Sequence, residues 1–220
     1  MSTNSSYYNS KFAKNSVLYG GRYFPKKRKK IQYDVRQFIC KDNYILKNYL
    51  KNVKLTKSND EKVFSIWKSI SWLKYVSDER SSGFTEFWQF PSETIQLKTG
   101  DCEDGAILLI SLFLNAGIPQ YRCKVAAGLV RAGKSAETGG HAWPLYLRES
   151  DNRWVVMDWC YCPNSLSVCK RKPYKQEKQY KSIWFTFNSQ YSWSDHPLEI
   201  KSISSMFIMP RFFATYLSVN

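Results

Sequence analysis

Apolar residues recur every three or four positions at Val63, Ile66, Trp67, Ile70 and Leu73. That is the spacing of one helix face. Ser58-Asn59-Asp60-Glu61 just before it matches a capping box, so the pattern predicts an amphipathic helix over roughly 60–76. A second run, Ala106 to Leu114, is apolar on nearly every side, as in a central buried helix. Asn115-Ala116-Gly117-Ile118-Pro119 ends it with Gly and Pro. The pattern then changes to three β-type runs, Tyr121–Val130, Ala142–Leu147 and Arg153–Tyr161. Gly139-Gly140 and Asp151-Asn152 supply turn chemistry between them. Trp184–Phe187 and Met206–Phe213 are further strand-like runs. Residues 78–91 hold Ser-Ser-Gly and Pro and read as a loop, but Phe84, Phe87, Trp88 and Phe90 predict that it packs over something. Gln32–Lys54 alternates without a clear period.

Hydrophobic residues make up 43% of the 220 and aromatics 16%, enough for a substantial core. No uncharged apolar run reaches the ~18 residues of a membrane span. Met1 to Tyr8 has no apolar signal-peptide region, so the expected location is cytoplasmic or within a larger particle. The net charge of +15 is uneven: residues 1–60 hold 14 Lys and Arg against 3 Asp and Glu. Lys170–Lys181 holds 6 basic residues against 1 acidic one. The expected organisation is therefore a basic, partly irregular N-terminal arm over 1–57 and a folded domain over 58–220. The compact run Pro25-Lys26-Lys27-Arg28-Lys29-Lys30 reads as a solvated arm, a contact for an acidic partner or nucleic acid, or a localisation signal. Since the charge is not built into the core, it argues against nucleic-acid binding as the role of the whole domain.

The six cysteines are expected to be reduced. Cys160-x-Cys162 followed by Cys169 lacks paired C-x2-C knuckles and a nearby His, so these read as packed or surface thiols. Cys102 differs. It stands at the start of the buried helix, where free N–H groups and the helix dipole favour a thiolate and can hold an oxyanion. Of the two histidines, His196 lies in a turn-like Ser-Asp-His-Pro. His141, flanked by small residues in Gly139-Gly140-His141-Ala142-Trp143, opens a strand. Asp158 lies in the apolar stretch Trp154-Val155-Val156-Met157-Asp158-Trp159, where a carboxylate needs a partner. An antiparallel hairpin of 142–147 with 153–159 brings Asp158 to His141. The order is nucleophile, base and the acid that orients the base.

Several stretches carry a resemblance: Phe87-Trp-Gln-Phe-Pro-Ser-Glu-Thr94, Gly100-Asp-Cys-Glu-Asp104, Gly117-Ile-Pro119, Gly140-His-Ala-Trp143 and Met157-Asp-Trp159. Over roughly 60–160 the chain resembles the transglutaminase-like superfamily, most closely its bacterial transglutaminase-like cysteine peptidases. The resemblance implies an α+β fold, a transglutaminase-like (papain-like) core with the nucleophile helix packed on an antiparallel β-sheet. It implies acyl transfer through a thioester on Cys102, with His141 as base and Asp158 behind it. It also implies an oxyanion site made by the Cys102 N–H and a side chain. Gln89 fits the aromatic-Gln-x-Pro stretch, and Gln96 lies six residues before Cys102, as in papain-like peptidases. No cofactor is required, but some peptidases of this type bind calcium with acids matching Asp101, Glu103 and Asp104, and hard oxygen donors suit that ion. Three functions remain open at this level: a peptidase or amidase acting on a protein or peptide substrate, a transglutaminase joining Gln and Lys side chains, or a non-enzymatic binding module.

Overall fold

The computed structural model describes residues 19–24, 29–83, 86–131, 138–161 and 166–194, with only the backbone described for 19–32 and 194. The first 18 residues, the basic run at 25–28, Phe84, Cys162, His196 and Met206–Phe213 lie outside them. The chain begins with a hairpin, β1 (Tyr19–Phe24) with β2 (Lys29–Asp34). Helices α1 (Tyr44–Leu50) and α2 (Asn59–Ser69) come after it. Next come β3 (Lys74–Tyr75), the short α3 (Asp78–Ser81), α4 (Pro91–Leu97) and β4 (Thr99–Gly100), with β3 and β4 parallel. Then α5 (Cys102–Asn115) precedes the strands β5 (Cys123–Arg131), β6 (Thr138–Leu147), β7 (Trp154–Val156), β8 (Tyr180–Phe187) and β9 (Ser192–Ser194). These last five form one antiparallel sheet in the order β7-β6-β5-β8-β9.

The apolar run centred on 106–114 becomes α5, whose residues from Cys102 to Leu114 are all buried. It packs on β5 and β6 and against α1, α2 and α4. Gly117, at φ 83°, turns the chain out of it. Val35, Phe38, Leu46 and Leu50 lie in the same buried cluster as α5. Asn115 ties this stretch down, taking the Asn43 N–H at 2.9 Å and donating to the Cys40 carbonyl at 2.7 Å. Residues 33–53, expected to belong to an arm, thus pack on the core.

Three expectations about elements need correction. The first predicted helix ends at Ser69, not near 76, because strand pairing claims residues 74–76. Lys74 N–H donates to the Lys98 carbonyl and Val76 N–H to that of Gly100. Ile70 and Leu73 keep their buried face without helical backbone. Ser58 makes no side-chain cap; the Glu149 carboxylate takes the Asn59 N–H at 3.0 Å instead. Gly139-Gly140 is not a turn but part of β6, opposite Val130 and Leu129. In contrast, Asp151-Asn152 does turn, with Asn152 at φ 54°. The predicted loop 78–91 packs inward through Trp88, which is 1% exposed.

Alternation along β6 divides the sheet into two faces. Ala142 and Tyr146 join the large core under α5, whereas Trp143 and Leu145 join a smaller cluster on the other face with Ala126, Val130, Val156 and Tyr180. On β5, Lys124 is buried, with its ammonium 4.0 Å from the Trp193 ring centroid and 5.0 Å from that of Trp154. Burial pushes its pKa down to about 7. A folded-state value below the unfolded one of ~10.4 means a stability penalty, full below pH 7 and fading as pH rises toward 10. Lys124→Met is therefore expected to raise Tm by a few degrees at pH 6, with the gain shrinking by pH 10, as read by thermal melts.

Candidate active site

Cys102 is the first residue of α5, and the helix start is built from its own acids. Asp104 Oδ2 accepts the Asp101 N–H at 3.2 Å, and its Oδ1 accepts that of Gln89 at 2.7 Å. This couples the Phe87–Phe90 stretch to the nucleophile turn. The Cys102 side chain is buried, and its Sγ donates to Glu103 Oε2 at 3.2 Å. Burial pushes the thiol pKa well up, and the Glu103 and Asp101 carboxylates push it further.

Trp159 crosses this turn, its indole N–H reaching the Cys102 carbonyl at 3.4 Å. It fits only because residue 105 is glycine: a Cβ there would lie 2.0 Å from Trp159 Nε1. Gly105→Ala is expected to destabilise the fold by ~1–3 kcal/mol, because the ring must move. Helix propensity alone predicts the opposite sign, a gain of roughly 0.5–1 kcal/mol. A urea melt distinguishes the two.

His141 and Asp158 meet where the start of β6 lies beside the end of β7. The β6–β7 register pairs Leu145 with Val156, so Asp158, just beyond β7, comes to the start of β6. His141 Nε2 lies 2.7 Å from Asp158 Oδ2, with both side chains fully buried. The imidazole lies between Trp143, stacked at 6.0 Å, and Tyr161 at 4.5 Å. Its Nδ1 has no hydrogen-bond partner among the described residues. Asp158 Oδ1 accepts the N–H groups of Cys160 at 2.8 Å and Tyr161 at 3.4 Å, and Oδ2 also accepts the Tyr180 hydroxyl at 2.8 Å. Burial alone raises the Asp158 carboxyl; the charge and hydrogen bond of His141, the Cys160 N–H and the Tyr180 hydroxyl outweigh it and hold the group below its ordinary value. Cys160 brings its thiol within 4.8 Å of both the His141 and Asp158 donor atoms.

Behind Cys102 lies a group of buried or half-buried carboxylates. Asp78, Asp101 and Asp104 offer oxygens within 4.8 Å of one another, as do Asp78, Glu86 and Glu103. Asp78 Oδ1, Asp101 Oδ1 and Glu103 Oε1 are buried without hydrogen-bond partners among the described residues. Burial raises all five acids, and mutual repulsion adds to it in Glu86, Asp101, Glu103 and Asp104.

The structure therefore joins His141 to Asp158 by a direct bond, and gives Cys102 a different partner, Glu103. Of the two candidate glutamines, Gln89 is buried beside α5 with Oε1 unpartnered among the described residues, whereas Gln96 is exposed on α4. Asp101, Glu103 and Asp104 do form part of an acidic group. Sequence reading missed Asp78, Glu86 and Tyr180. No local pattern marks the first two; Tyr180 sits in a basic, unmatched segment. Among the described residues no helix is long and apolar enough to cross a membrane.

A helix-borne thiol beside an antiparallel sheet that carries a buried His–Asp pair defines the papain-like class of architectures. The chain belongs to the transglutaminase-like superfamily, whose model matches residues 47–159. Legionella pneumophila LapG has a similar structure, with TM-score 0.51 and 18% identity over 67% of this chain and 75% of that one. Its EGTA-treated form aligns with TM-score 0.51 and 18% identity over 72% and 81%. A calcium-bound form aligns with TM-score 0.47 and 22% identity over 70% and 77%. No curated protein matches the sequence.

Proposed function

We propose that this chain is a thiol-dependent acyl-transfer enzyme, a cysteine peptidase or amidase that cleaves peptide or isopeptide bonds. The buried 2.7 Å His141–Asp158 pair, with Nδ1 unpartnered among the described residues of a transglutaminase-like core, carries this reading. A His held by a carboxylate at one nitrogen has the other available as a base. Cys102 Sγ loses its proton to His141 and attacks the carbonyl carbon. The C–N bond breaks as His141 returns the proton to the leaving amine, which leaves a thioester on Cys102. Water, deprotonated by His141, then breaks the C–S bond and regenerates the thiol. In this reading the Cys102 backbone N–H and the Gln89 carboxamide receive the oxyanion.

The carboxylates Asp78, Glu86, Asp101, Glu103 and Asp104 fit a divalent cation, calcium by the hardness of their oxygens. Three buried oxygens among them, unpartnered among the described residues, are the supporting observation. When bound, the ion supplies positive charge beside Cys102, which favours a thiolate. The deciding experiment alkylates the full chain with iodoacetamide and maps the labelled cysteines. Cys102 is expected to react faster than Cys123 and Cys169, and His141→Ala to remove the difference; equal rates overturn the reading. A labelled amine added with a peptide substrate tests the joining alternative: incorporation without hydrolysis makes the chain a transglutaminase.

A further inference from the structure

Tyr180 reaches the site from β8, outside the family-matched stretch. Its hydroxyl donates to Asp158 Oδ2, the same oxygen that pairs with His141. With Cys160 and Tyr161 on Oδ1, each carboxylate oxygen has two donors. The carboxylate cannot rotate without breaking several of these bonds.

The strand is deformed in a way that delivers this contact. β5 and β8 pair regularly from Val125–Phe187 to Ala127–Phe185, then shift register twice, so that Val130 faces Tyr180. Uninterrupted pairing would set Ser182 opposite Val130. Two extra residues move Tyr180 into that place and keep it on the Asp158 face. The deformation needs a glycine, since a Cβ on Gly128 would lie 1.9 Å from the Ser182 carbonyl oxygen.

We infer that Tyr180 is a positioning residue of the site, acting through Asp158. Its hydroxyl fixes the plane of the carboxylate, and the carboxylate fixes one ring orientation of His141 with Nδ1 free for a thiol. The inference rests on the proposed thiol-enzyme function. A role in packing alone is the competing account, because the Tyr180 ring also lies 4.9 Å from Trp143 and 6.4 Å from Tyr174. Phenylalanine retains both ring contacts and removes only the hydroxyl.

Tyr180→Phe separates the two accounts in the full chain. Iodoacetamide alkylation of Cys102 at pH 7 is expected to slow by about tenfold. Titration of His141 is followed by imidazole NMR in a His196→Gln background, which leaves one histidine. His141, Tyr161, Cys160 and Tyr180 face Asp158, and losing the Tyr180 donor leaves the carboxylate more basic toward His141. The His141 midpoint is therefore expected to move up. In Asp158→Asn the same tyrosine change is expected to alter the alkylation rate by less than about twofold, as for residues acting as one unit. An unchanged rate and midpoint, or the full tenfold loss persisting in Asp158→Asn, overturns the inference. If wild-type Cys102 is not activated, the enzyme reading fails, and the His141 midpoint still decides the role of Tyr180. If Tyr180→Phe does not fold, the Tyr180 ¹³Cζ resonance is compared between wild type and Asp158→Asn; an unmoved resonance counts against the contact.

Discussion

Asp158→Asn is expected to lower turnover of a peptide substrate by up to about 10⁴-fold, and His141→Ala by at least as much, with the fold retained in both. The reason lies in the state of the nucleophile. Burial and the Glu103 and Asp101 carboxylates push the Cys102 thiol pKa up, which favours the thiol over the thiolate. The thiol is a weak nucleophile, and the pairing base must remove its proton. His141 can do so only in the tautomer with its proton on Nε2, which the bond to Asp158 enforces. Asparagine in place of Asp158 can present its amide N–H to Nε2, moving the imidazole proton to Nδ1 and disabling the base. The Asp158 carboxylate is lowered, so the stability it contributes is present above its ordinary pKa of ~3.9 and is lost as pH falls through its folded value. Activity near neutrality is thus insensitive to Asp158 ionisation. Steady-state kinetics with circular dichroism of each variant checks this. Near-wild-type turnover in Asp158→Asn would falsify the assigned roles.

Calcium is expected to raise the Tm of EGTA-treated protein by about 5–10 °C at a concentration near 100 times Kd. That ratio corresponds to ~2.7 kcal/mol of linkage free energy. The cause is the set of five acids, all raised by burial, with mutual repulsion adding to it in Glu86, Asp101, Glu103 and Asp104. A bound cation replaces that repulsion with attraction and gives Asp78 Oδ1, Asp101 Oδ1 and Glu103 Oε1 a partner. Magnesium is expected to do much less, since it demands a tighter octahedral shell and dehydrates reluctantly. Asp104→Asn weakens the response and also leaves the Gln89 N–H with a poorer acceptor. Differential scanning calorimetry with and without EGTA reads the shift. Identical melts in 1 mM calcium and in EGTA sink the proposal.

Sequence by itself determined the elements whose signal is local. The unbroken apolar run of α5, its Gly117 stop and Cys102 at its first position are all written in consecutive residues. The strand-like runs 142–147 and 153–159 around Asp151-Asn152 point to an antiparallel hairpin, and the observed β6–β7 register carries Asp158 back to His141. Tertiary structure decided the rest. Whether residues 70–76 continued a helix or paired with β4 depended on a strand some 25 residues away. Ser58 lost its cap because Glu149, distant in sequence, took the helix N-terminus. Asp78 and Glu86 entered the acidic group, and Tyr180 the His–Asp pair, through folding alone. A buried carboxylate requires a partner, and that requirement is legible in the chain. Which donor satisfies Asp158, or which acids crowd Glu103, is set only by the packing of the whole fold.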